Sequence, residues 1–433
     1  MKILHTSDWH LGRSLHGRKR YEEFEAFLNW VLEQLTTNHI DVLIIAGDVF
    51  DTTSPSNRAQ ELYYKFLAQT SQTTCQHVVV IGGNHDSASF LNAPKGILSV
   101  LNVYVVGAAS SNIEDEVLCL KDSSGDVKLI VAAVPYLRDR DIRKVEAGES
   151  IDDKHLKLIE GIKSHYSKVC ELAKSIRQNL PNSEEIPIVG TGHLFAAGKR
   201  TANKENKEAA KIKLDEKDVG EGVRDLYVGN LAYVGADAFP KVLDYVALGH
   251  LHVPQRVGDE DSIRYCGSPL PMGFGEASQQ KLVVLIEFDS KTAQIEELKI
   301  PCFQSLKRIK GDLAEILKSI SDYANPEKGN TLENNAWLEV TYTGDEIVPN
   351  LRSQVMEAIQ NTNLEVLLVK NDRAYNHILK AKVEQESLKD LSEVEVFERR
   401  LEQETLSEPE REDLLYCYKE ILNKIYEKDA KAE

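Results

Sequence analysis

Cysteine is scarce in this sequence, and the few cysteines lie far apart. The six cysteines are Cys75, Cys119, Cys170, Cys266, Cys302 and Cys417. None of them forms a C-x-x-C pair with another, so the spacing indicates neither a zinc site nor a disulfide framework. The simplest interpretation is a protein of the reducing cytoplasm.

Long apolar runs are also missing. No stretch approaches the roughly 20 residues that are needed to span a bilayer. The first run, Met1 to His5, breaks at once into Thr6, Ser7 and Asp8. We therefore expect neither a signal peptide nor a membrane span.

Positive charge is in deficit. Lys and Arg number 52 against 69 Asp and Glu, which gives a net charge of −17. This is the wrong sign for a protein that holds nucleic acid by its whole surface. A nuclease is not excluded, because bound divalent cations reverse the local field and a partner can supply a basic surface. A G-x-x-x-x-G-K-[S/T] nucleotide-binding loop is absent as well.

What is present fits a large globular protein of two or three domains, with 433 residues and 42% hydrophobic residues. Up to about residue 290, β-branched runs alternate with helical stretches, which predicts a layered α/β domain. The predicted helices are Glu22–Leu35, Glu61–Ala68 and Lys157–Ile176. Val117–Leu120 and Val127–Val134 are predicted to form a hairpin, and residues 263–266 and 282–286 to form closing strands.

The rest of the chain is predicted to form two further parts. Residues 302–372 have the pattern of a small βαβαβ unit, and from about 373 the chain becomes helical and acidic. The predicted division is 1–295, 296–372 and 373–433. Capping boxes at Ser392 and Ser407 mark two helix starts in the last part. Residues 198–222 form a charged insertion, either a solvated loop or a flap that contacts substrate.

A helical hairpin as small as the predicted tail has little core of its own. Its apolar faces either pack back on their own protein or dock another chain, and docking is the favoured interpretation. The apolar residues predicted to bind the partner are Val394, Phe397, Leu401, Leu415, Tyr418 and Leu422.

Five apolar runs end in carboxylate, imidazole or amide side chains, and these ends are the most informative feature of the sequence. The ends are Asp8-Trp9-His10, Gly47-Asp48, Gly83-Asn84-His85-Asp86, Gly192-His193 and Gly249-His250-Leu251-His252. Strand ends meet at one edge of an α/β sheet, so we expect these side chains to form one cage. Residues i and i+2 of a strand share a face, as in Asp8-x-His10 and His250-x-His252.

The residue types predict a two-metal hydrolase centre. Carboxylate, imidazole and amide ligands without thiolate suit Mn²⁺, Fe or Zn²⁺. Two ions roughly 3.5–4 Å apart would activate a shared water and clamp the oxygens of a phosphoryl group. Asp48, alone at its strand end, is the natural bridge, and His85 is a candidate general acid for the leaving oxygen. Asp86 is expected to orient His85 or to cap the following helix.

These motifs resemble those of the calcineurin-like phosphoesterase superfamily. More narrowly, three extended strings resemble the SbcD family, the nuclease subunits of bacterial SbcCD complexes, whose eukaryotic counterpart acts in double-strand-break repair. The strings are His5-Thr6-Ser7-Asp8-Trp9-His10-Leu11-Gly12, Ala46-Gly47-Asp48-Val49-Phe50-Asp51 and Tyr265-Cys266-Gly267-Ser268-Pro269. The likeness extends over nearly the whole chain.

The resemblance implies an α/β fold: a β-sandwich flanked by helices, a small α/β capping domain and a C-terminal helical hairpin. It also implies two Mn²⁺ ions, with Mg²⁺ or another divalent ion as the alternative. One ion is then held by Asp8, His10, Asp48 and His252, and the other by Asp48, Asn84, His193 and His250. His85 matches the family's catalytic histidine.

The implied activity is DNA hydrolysis in repair, recombination and replication. It comprises 3′→5′ exonuclease action on duplex DNA and endonuclease cutting of single strands and hairpins. ATP hydrolysis would come from an SbcC-type ATPase bound at the helical tail. The implied assembly is a homodimer within a heterotetramer, and the implied location is cytoplasmic and nucleoid-associated, with no membrane.

Two other functions stay open at this point, a phosphoesterase for small substrates such as cyclic nucleotides or phosphoproteins, and a scaffold that uses the fold to hold proteins.

Two local questions stay open as well. The basic residues Arg13, Arg18, Lys19 and Arg20 could meet DNA phosphates or could be a solvated helix start. The helices at 22–35 and 61–68 could be dimer contacts or core.

Overall fold

The structure is a computed structural model, and it describes residues 1–142, 150–197, 234–324, 336–344, 346, 348–371, 414, 415 and 418. Two units are distinguished by their contacts. The first comprises Met1–Thr341 and Ile347–Lys370, and the second comprises Tyr342–Glu346 and Asn371–Glu433. In the second unit, the Tyr342 hydroxyl donates to the carbonyl of Glu346 at 2.9 Å.

The first unit contains two six-stranded mixed sheets. In spatial order, the first sheet has β16 (Thr292–Lys299), β15 (Leu282–Asp289), β1 (Lys2–Thr6), β4 (Val42–Ala46), β5 (His77–Ile81) and β6 (Val103–Val106). The second has β13 (Gln255–Val257), β14 (Glu260–Tyr265), β12 (Tyr245–Gly249), β9 (Ile188–His193), β8 (Val127–Ala132) and β7 (Val117–Lys121). Strands β1, β4, β5 and β6 are mutually parallel, and so are β8, β9, β12 and β14.

The two sheets pack face to face because their strands are apolar on both faces. In β4, Val42 and Ile44 enter the core between the sheets, together with Val189 and Ala247 of the second sheet. The alternate residues of β4 point to the opposite face, against the helices. Strands buried on both sides form near-continuous hydrophobic runs, which is the pattern that the sequence shows.

Helices cover both outer faces of the sandwich. α1 (Tyr21–Thr37) and α2 (Asn57–Thr70) lie on the first sheet, and α6 (Ile151–Gln178) lies on the second. Shorter helices are α3 (Ala88–Asn92), α4 (Lys95–Leu98) and α5 (Asp139–Ile142). α6 begins at a reciprocal capping box between Ser150 and Asp153. The prediction of an α/β sandwich flanked by helices is therefore confirmed.

The apolar faces of α1 and α2 are core. Trp9 packs edge-to-face between Phe27 of α1 and Phe66 of α2, at ring-centroid distances of 5.8 and 5.2 Å. The alternative in which these faces form a dimer contact is not supported by their burial. The strand β16, whose sequence is polar, was not among the predicted closing strands.

A small three-stranded sheet follows the sandwich. It has the order β17 (Leu306–Gly311), β18 (Ala336–Tyr342) and β19 (Leu364–Asn371), with α7 (Leu313–Ala324) and α8 (Leu351–Ala358) between the strands. Its Leu306 and Trp337 are buried with Leu15 and Phe274 of the sandwich. Leu15 belongs to a short hairpin of β2 (Ser14–Leu15) and β3 (Arg18–Lys19). The remaining short strands are β10 (Ala196–Ala197) and β11 (Val234–Gly235).

The predicted tail and charged insertion fall largely outside the description. Residues 198–222, Ser392, Val394, Phe397, Leu401, Ser407 and Leu422 lie outside the described residues. Leu415 and Tyr418 are helical and partly buried. None of the helices in the described part of the chain has the length and apolar character that crossing a bilayer requires.

His5 of β1 gives the fold a predicted sensitivity to acid. Its Nδ1 lies 3.0 Å from the Tyr245 hydroxyl, and burial lowers the pKa of His5 to about 3 against a weaker opposing contact with the Leu248 backbone. The pKa of an unfolded histidine is near 6.5. The contribution of His5 to the free energy of unfolding is therefore constant above about pH 6.5 and falls by about 1.4 kcal/mol per pH unit below it. Between pH 7.5 and 5.5, the urea midpoint should fall further for the native chain than for His5→Gln.

The matched control for this prediction is His39→Gln, because His39 is exposed. Its pH dependence should equal that of the native chain. Equal pH dependence of His5→Gln and the native chain would contradict the prediction.

Candidate metal centre

The predicted ligands meet at one edge of the sandwich. Asp8, Asp48 and Asn84 follow β1, β4 and β5 of one sheet, and His193 and His250 lie at the ends of β9 and β12 of the other. Backbone hydrogen bonds fix the edge, because the Asp8 amide donates to the Gly47 carbonyl at 3.0 Å. The two sheets are joined here as well, since the His250 amide donates to both carboxylate oxygens of Asp8 at 3.0 and 3.1 Å.

Several of these residues have a left-handed backbone. The φ angles are +52° at Asp8, +46° at His10, +50° at Asp48 and +99° at His250. Such conformations cost about 1–3 kcal/mol each in a non-glycine residue, and they persist where the surrounding structure demands them. The backbone is thus locally strained at these positions, and the strained conformation directs the side chains inward.

Two glycines leave room for the predicted ligands. A Cβ on Gly47, whose φ is +87°, would lie 2.3 Å from the Nδ1 of His193. A Cβ on Gly83 would lie 2.1 Å from the Oδ1 of Asp48. Neither position tolerates a side chain without moving a predicted ligand.

The first group of side chains contains Asp8, His10 and His252, whose ligand atoms lie within 4.8 Å of one another. The Nε2 atoms of His10 and His252 face each other at 3.2 Å. The Oδ2 of Asp48 is 3.6 Å from the Nε2 of His10. All four residues of the first predicted ligand set are therefore together.

The second group is centred on Asn84. Its Oδ1 lies 3.1 Å from the Nε2 of His193 and 3.1 Å from the Nδ1 of His250. The Nε2 of His193 is 3.3 Å from the Oδ2 of Asp48. Asp48 is thus within reach of both groups, as a bridging carboxylate must be.

The donor set fits divalent metal ions. Three oxygen-bearing and four imidazole side chains converge, and Asp8, Asp48, His10 and His193 are at most 2% exposed. Burial alone would lower the pKa of His193, but the opposing interaction with the Asp48 carboxylate raises this pKa to about 9. Burial would raise the pKa of Asp48, but His193 and His10 hold it well below its usual range. A bound cation would replace the proton that His193 carries in the metal-free protein.

His85 lies beside the predicted metal ligands, and its side chain is oriented by a backbone carbonyl. Its amide donates to the Oδ1 of Asp48 at 2.9 Å, and its Nδ1 lies 2.9 Å from the carbonyl of Asp51. A carbonyl only accepts, so the Nδ1 carries hydrogen and the Nε2 is left to exchange a proton. The His85 ring stands edge-on to that of His10, with centroids 4.8 Å apart.

Asp86 has a different role from the one expected. Its carboxylate accepts from the amides of Gly83, Val49 and Phe50 at 2.9, 3.1 and 3.0 Å. It does not orient His85, and the cap of α3 is Ser87. Asp86 instead ties the loop after β4 to the loop after β5, and so fixes the distance between Asp48 and Asn84.

Removal of this carboxylate should destabilise the fold. Asp86→Ala would leave three buried amides without their acceptor, at about 1–3 kcal/mol for each buried group left unsatisfied. We expect a clear drop in the urea midpoint of the metal-free protein. Asp86→Asn keeps one acceptor oxygen and should lose less, whereas an equal loss in both variants would refute the account.

Two supporting carboxylates were missed from the sequence. Asp51 Oδ1 lies 3.5 Å from the Nδ1 of His10, and Glu276 Oε1 lies 3.5 Å from the Nδ1 of His252. The buried Ser268 of the Gly267-Ser268-Pro269 string lies 3.5 Å from Glu276. The string was the sequence signal close to Glu276. Without the fold, however, it does not identify Glu276 or the contact of Glu276 with His252.

The basic residues of the first loop are mostly engaged within the protein. Arg20 is 2% exposed and binds Glu23. Arg13 donates to Asp51 at 3.0 Å, and Arg18 pairs with Glu365 of β19. Burial excludes Arg20 as a DNA contact, while Lys19 is exposed.

Two family profiles match this chain. The family profile described as calcineurin-like phosphoesterase matches residues 1–254. The profile described as type 5 capsule protein repressor C-terminal domain matches residues 302–405.

Relatives named as the SbcD subunit of the SbcCD nuclease are similar over most of their length. That of Escherichia coli strain K12 is 36% identical over 424 residues, 98% of each chain. That of Rhodobacter capsulatus is 31% identical over 340 residues, 76% of this chain and 77% of the relative. That of Bacillus subtilis is 28% identical over 342 residues, 78% of each. The chain therefore belongs to the calcineurin-like phosphoesterases, which are metal-dependent phosphodiesterases, and within them to the SbcD nucleases.

Proposed function

We propose that this chain is the Mn²⁺-dependent nuclease subunit of an SbcCD-type complex and hydrolyses DNA phosphodiester bonds. The observation that carries the proposal is the convergence of two ligand groups on Asp48, with the Nε2 of His10 at 3.6 Å and that of His193 at 3.3 Å from its Oδ2. The relatives' name, which makes each of them the SbcD part of an SbcCD nuclease, supports the substrate class and the complex.

In this proposal one ion is held by Asp8, His10, Asp48 and His252. The other is held by Asp48, Asn84, His193 and His250. When bound, the two ions would supply an activated water and offset the charge that develops on the phosphate. The mixed imidazole and oxygen donors favour Mn²⁺, and Mg²⁺ is the alternative.

The protein's own groups do the rest of the chemistry. His85 holds hydrogen on its Nδ1 through the Asp51 carbonyl, so its Nε2 is the atom that delivers a proton to the departing sugar oxygen. The Asp86 carboxylate keeps the loops after β4 and β5 at a fixed separation, and the left-handed backbone at Asp8, His10 and Asp48 points their side chains into the centre.

The finer activities rest on family membership. They are 3′→5′ exonuclease action on duplex ends and endonuclease action on single strands and hairpins, coupled to ATP hydrolysis by an SbcC-type ATPase. The net charge of −17 supports a division of labour in which the partner provides basic surface for DNA. We propose that the protein acts in the cytoplasm at the nucleoid, and that it takes part in DNA repair, recombination and replication.

The domain division and the docking site are also proposals. We divide the chain into a nuclease domain at 1–295, a capping domain at 296–372 and a partner-docking tail at 373–433. Leu415 and Tyr418 are partly buried there, and the neighbouring Leu414 is 43% exposed.

The experiment is cleavage of a linear duplex and of a DNA hairpin by the purified chain with an SbcC-type ATPase, ATP and Mn²⁺. We expect hairpin opening and duplex degradation that stop when EDTA is added. Release of phosphate from small esters alone would replace the proposal with a small-substrate phosphoesterase. Absence of bound Mn²⁺ in any condition would favour a scaffold.

A homodimer is proposed through one exposed apolar segment. Ile97 of α4 is 76% exposed, and Val100 and Leu101 in the turn after it are 82% and 38% exposed. Contiguous exposed aliphatic side chains mark interaction surfaces. We therefore place the contact with a second copy at residues 97–101 rather than on the core faces of α1 and α2.

A charge on this segment should separate the copies. Val100→Glu is expected to convert a dimer into a monomer in sedimentation velocity, because the charge would have to be buried between two copies. Leu156→Glu on α6, where Leu156 is 53% exposed, should stay dimeric. A Val100→Glu variant that remains dimeric would show that the contact lies elsewhere.

A further inference from the structure

Behind His252 lies a buried charged pair, formed by Glu276 and Lys281. The two side chains are 2% and 4% exposed, and the Nζ of Lys281 lies 2.5 Å from the Oε2 of Glu276. Neither residue belongs to the five strand-end motifs. A buried ion pair is costly to desolvate and contributes little net stability, so its position calls for a role.

The pair faces the ring of His252 and holds its backbone. Glu276 Oε1 lies 3.5 Å from the Nδ1 of the ring, and Lys281 Nζ donates to the His252 carbonyl at 3.0 Å. The amide of Ser268 donates to the same carbonyl at 3.2 Å. Opposite its Nδ1, the ring presents its Nε2 to the Nε2 of His10.

The carboxylate is itself fixed. Its Oε2 accepts from the Met272 amide at 3.0 Å in addition to Lys281, and Lys281 also donates to the Ser268 hydroxyl at 3.0 Å. These bonds leave the Oε1 as the atom that faces His252. Within the described residues the Nδ1 of His252 has no hydrogen-bond partner, so its contact with the Oε1 at 3.5 Å is electrostatic. A negative charge behind the Nδ1 favours hydrogen on that atom and a more basic Nε2.

The two metal positions are supported unequally. In the first group, His10 has Asp51 behind its Nδ1 at 3.5 Å, with Arg13 bound to Asp51. His252 has Glu276 and Lys281 in the corresponding place. In the second group, the Nδ1 of His193 donates to the neutral carbonyl of Ala46 at 2.9 Å. At 3.5 Å the Nδ1 atoms of His10 and His252 are in electrostatic contact with these carboxylates and are not hydrogen-bonded to them. A negative charge behind an imidazole strengthens it as a metal ligand more than a neutral carbonyl does.

We propose that Glu276 and Lys281 are positioning residues that hold His252 for the first metal and give that position the higher affinity of the two. The inference rests on the metal assignment of the proposed function. Neither residue touches the reacting atoms, so their effect is on metal affinity rather than on the chemical step at saturating metal.

The test is Mn²⁺ titration of the full-length protein, followed by the electron paramagnetic resonance signal of free Mn²⁺. The native chain should bind two ions in a tighter and a weaker class. In the double variant Glu276→Gln/Lys281→Met, both charges are removed together, so no single charge is left buried. The tighter class should weaken by about 10–100-fold, with the weaker class unchanged.

A second variant covers the case in which the double variant does not fold. Glu276→Asp still neutralises Lys281 but draws the carboxylate back by one methylene from His252, so the tighter class should again weaken, by a smaller factor. The matched control is Glu296→Gln on β16, where Glu296 is exposed. Melting in EDTA reports on the fold of each variant separately from its metal affinity.

Cleavage by the complex with an SbcC-type ATPase gives a second readout. If the residues only position the ligand, high Mn²⁺ should restore the kcat of the folded variants to near the native value. Native tight-class affinity in the folded variants, or weakening confined to the weaker class, would overturn the inference. Failure of the native chain to bind Mn²⁺ at all would instead overturn the proposed function.

Discussion

Replacing His85 with alanine is expected to lower the kcat for duplex degradation by about 10²–10⁴-fold, the usual contribution of a positioned acid or base. The loss arises because the Nε2 of His85 is the group placed to protonate the leaving oxygen. Metal binding should survive, since His85 is not one of the predicted ligands and its hydrogen bond to Asp48 is made by the backbone amide, which the substitution keeps. The measurements are single-turnover cleavage by the complex and Mn²⁺ stoichiometry of the isolated chain.

A histidine outside the strand-end motifs provides the comparison. His155 lies near the start of α6, and His155→Ala should cleave at the native rate. Replacement of His85 by glutamine should be almost as damaging as alanine, because an amide cannot deliver a proton at neutral pH. Cleavage by His85→Ala within a few-fold of the native rate would exclude His85 as the acid.

Asp48→Asn should remove both metals in one step. Asp48 is within 3.6 Å of the Nε2 of His10 and within 3.3 Å of that of His193, so loss of its charge weakens both predicted positions. Charge stabilisation by metal amounts to several kcal/mol of barrier, and each 1.36 kcal/mol is tenfold in rate. We therefore expect cleavage to fall by about 1,000-fold or more.

Thermal melting separates this loss from unfolding. Mn²⁺ should raise the melting temperature of the native chain by mass action but not that of Asp48→Asn. The exposed Asp126, as Asp126→Asn, is the matched control and should melt like the native chain with and without metal. If Asp48→Asn is stabilised by Mn²⁺ to the native extent, the bridging role fails.

The strand ends show how far sequence reasoning reached. Apolar runs such as Val42–Ala46 are buried on both faces in the structure, and a near-continuous apolar run is the sequence pattern of such parallel strands. Because such strands all end at one edge, residues as distant as Asp8 and His252 could be assigned to one cage. The polar strand Thr292–Lys299 shows the limit, since its sequence lacks a hydrophobic run.

Roles that depend on backbone partners could not be predicted in the same way. Asp86 stands next to His85 in sequence, which favoured an interaction between the two side chains. In the fold, its carboxylate faces three backbone amides instead. The basic residues of the first loop behave similarly, since the burial of Arg20 follows from its fit beside Glu23 and the carbonyl of Pro271.

The sequence by itself determined the layered α/β architecture and the set of side chains at the strand ends, because periodicity and strand direction are local properties of the chain. The tertiary structure alone decided how those side chains are supported. It determines that the Nδ1 of His85 carries hydrogen and that Asp86 joins two loops. It also places the carboxylates of Asp51 and Glu276 behind His10 and His252. These depend on distances of a few ångströms between segments far apart in the chain, which no pattern along the sequence encodes.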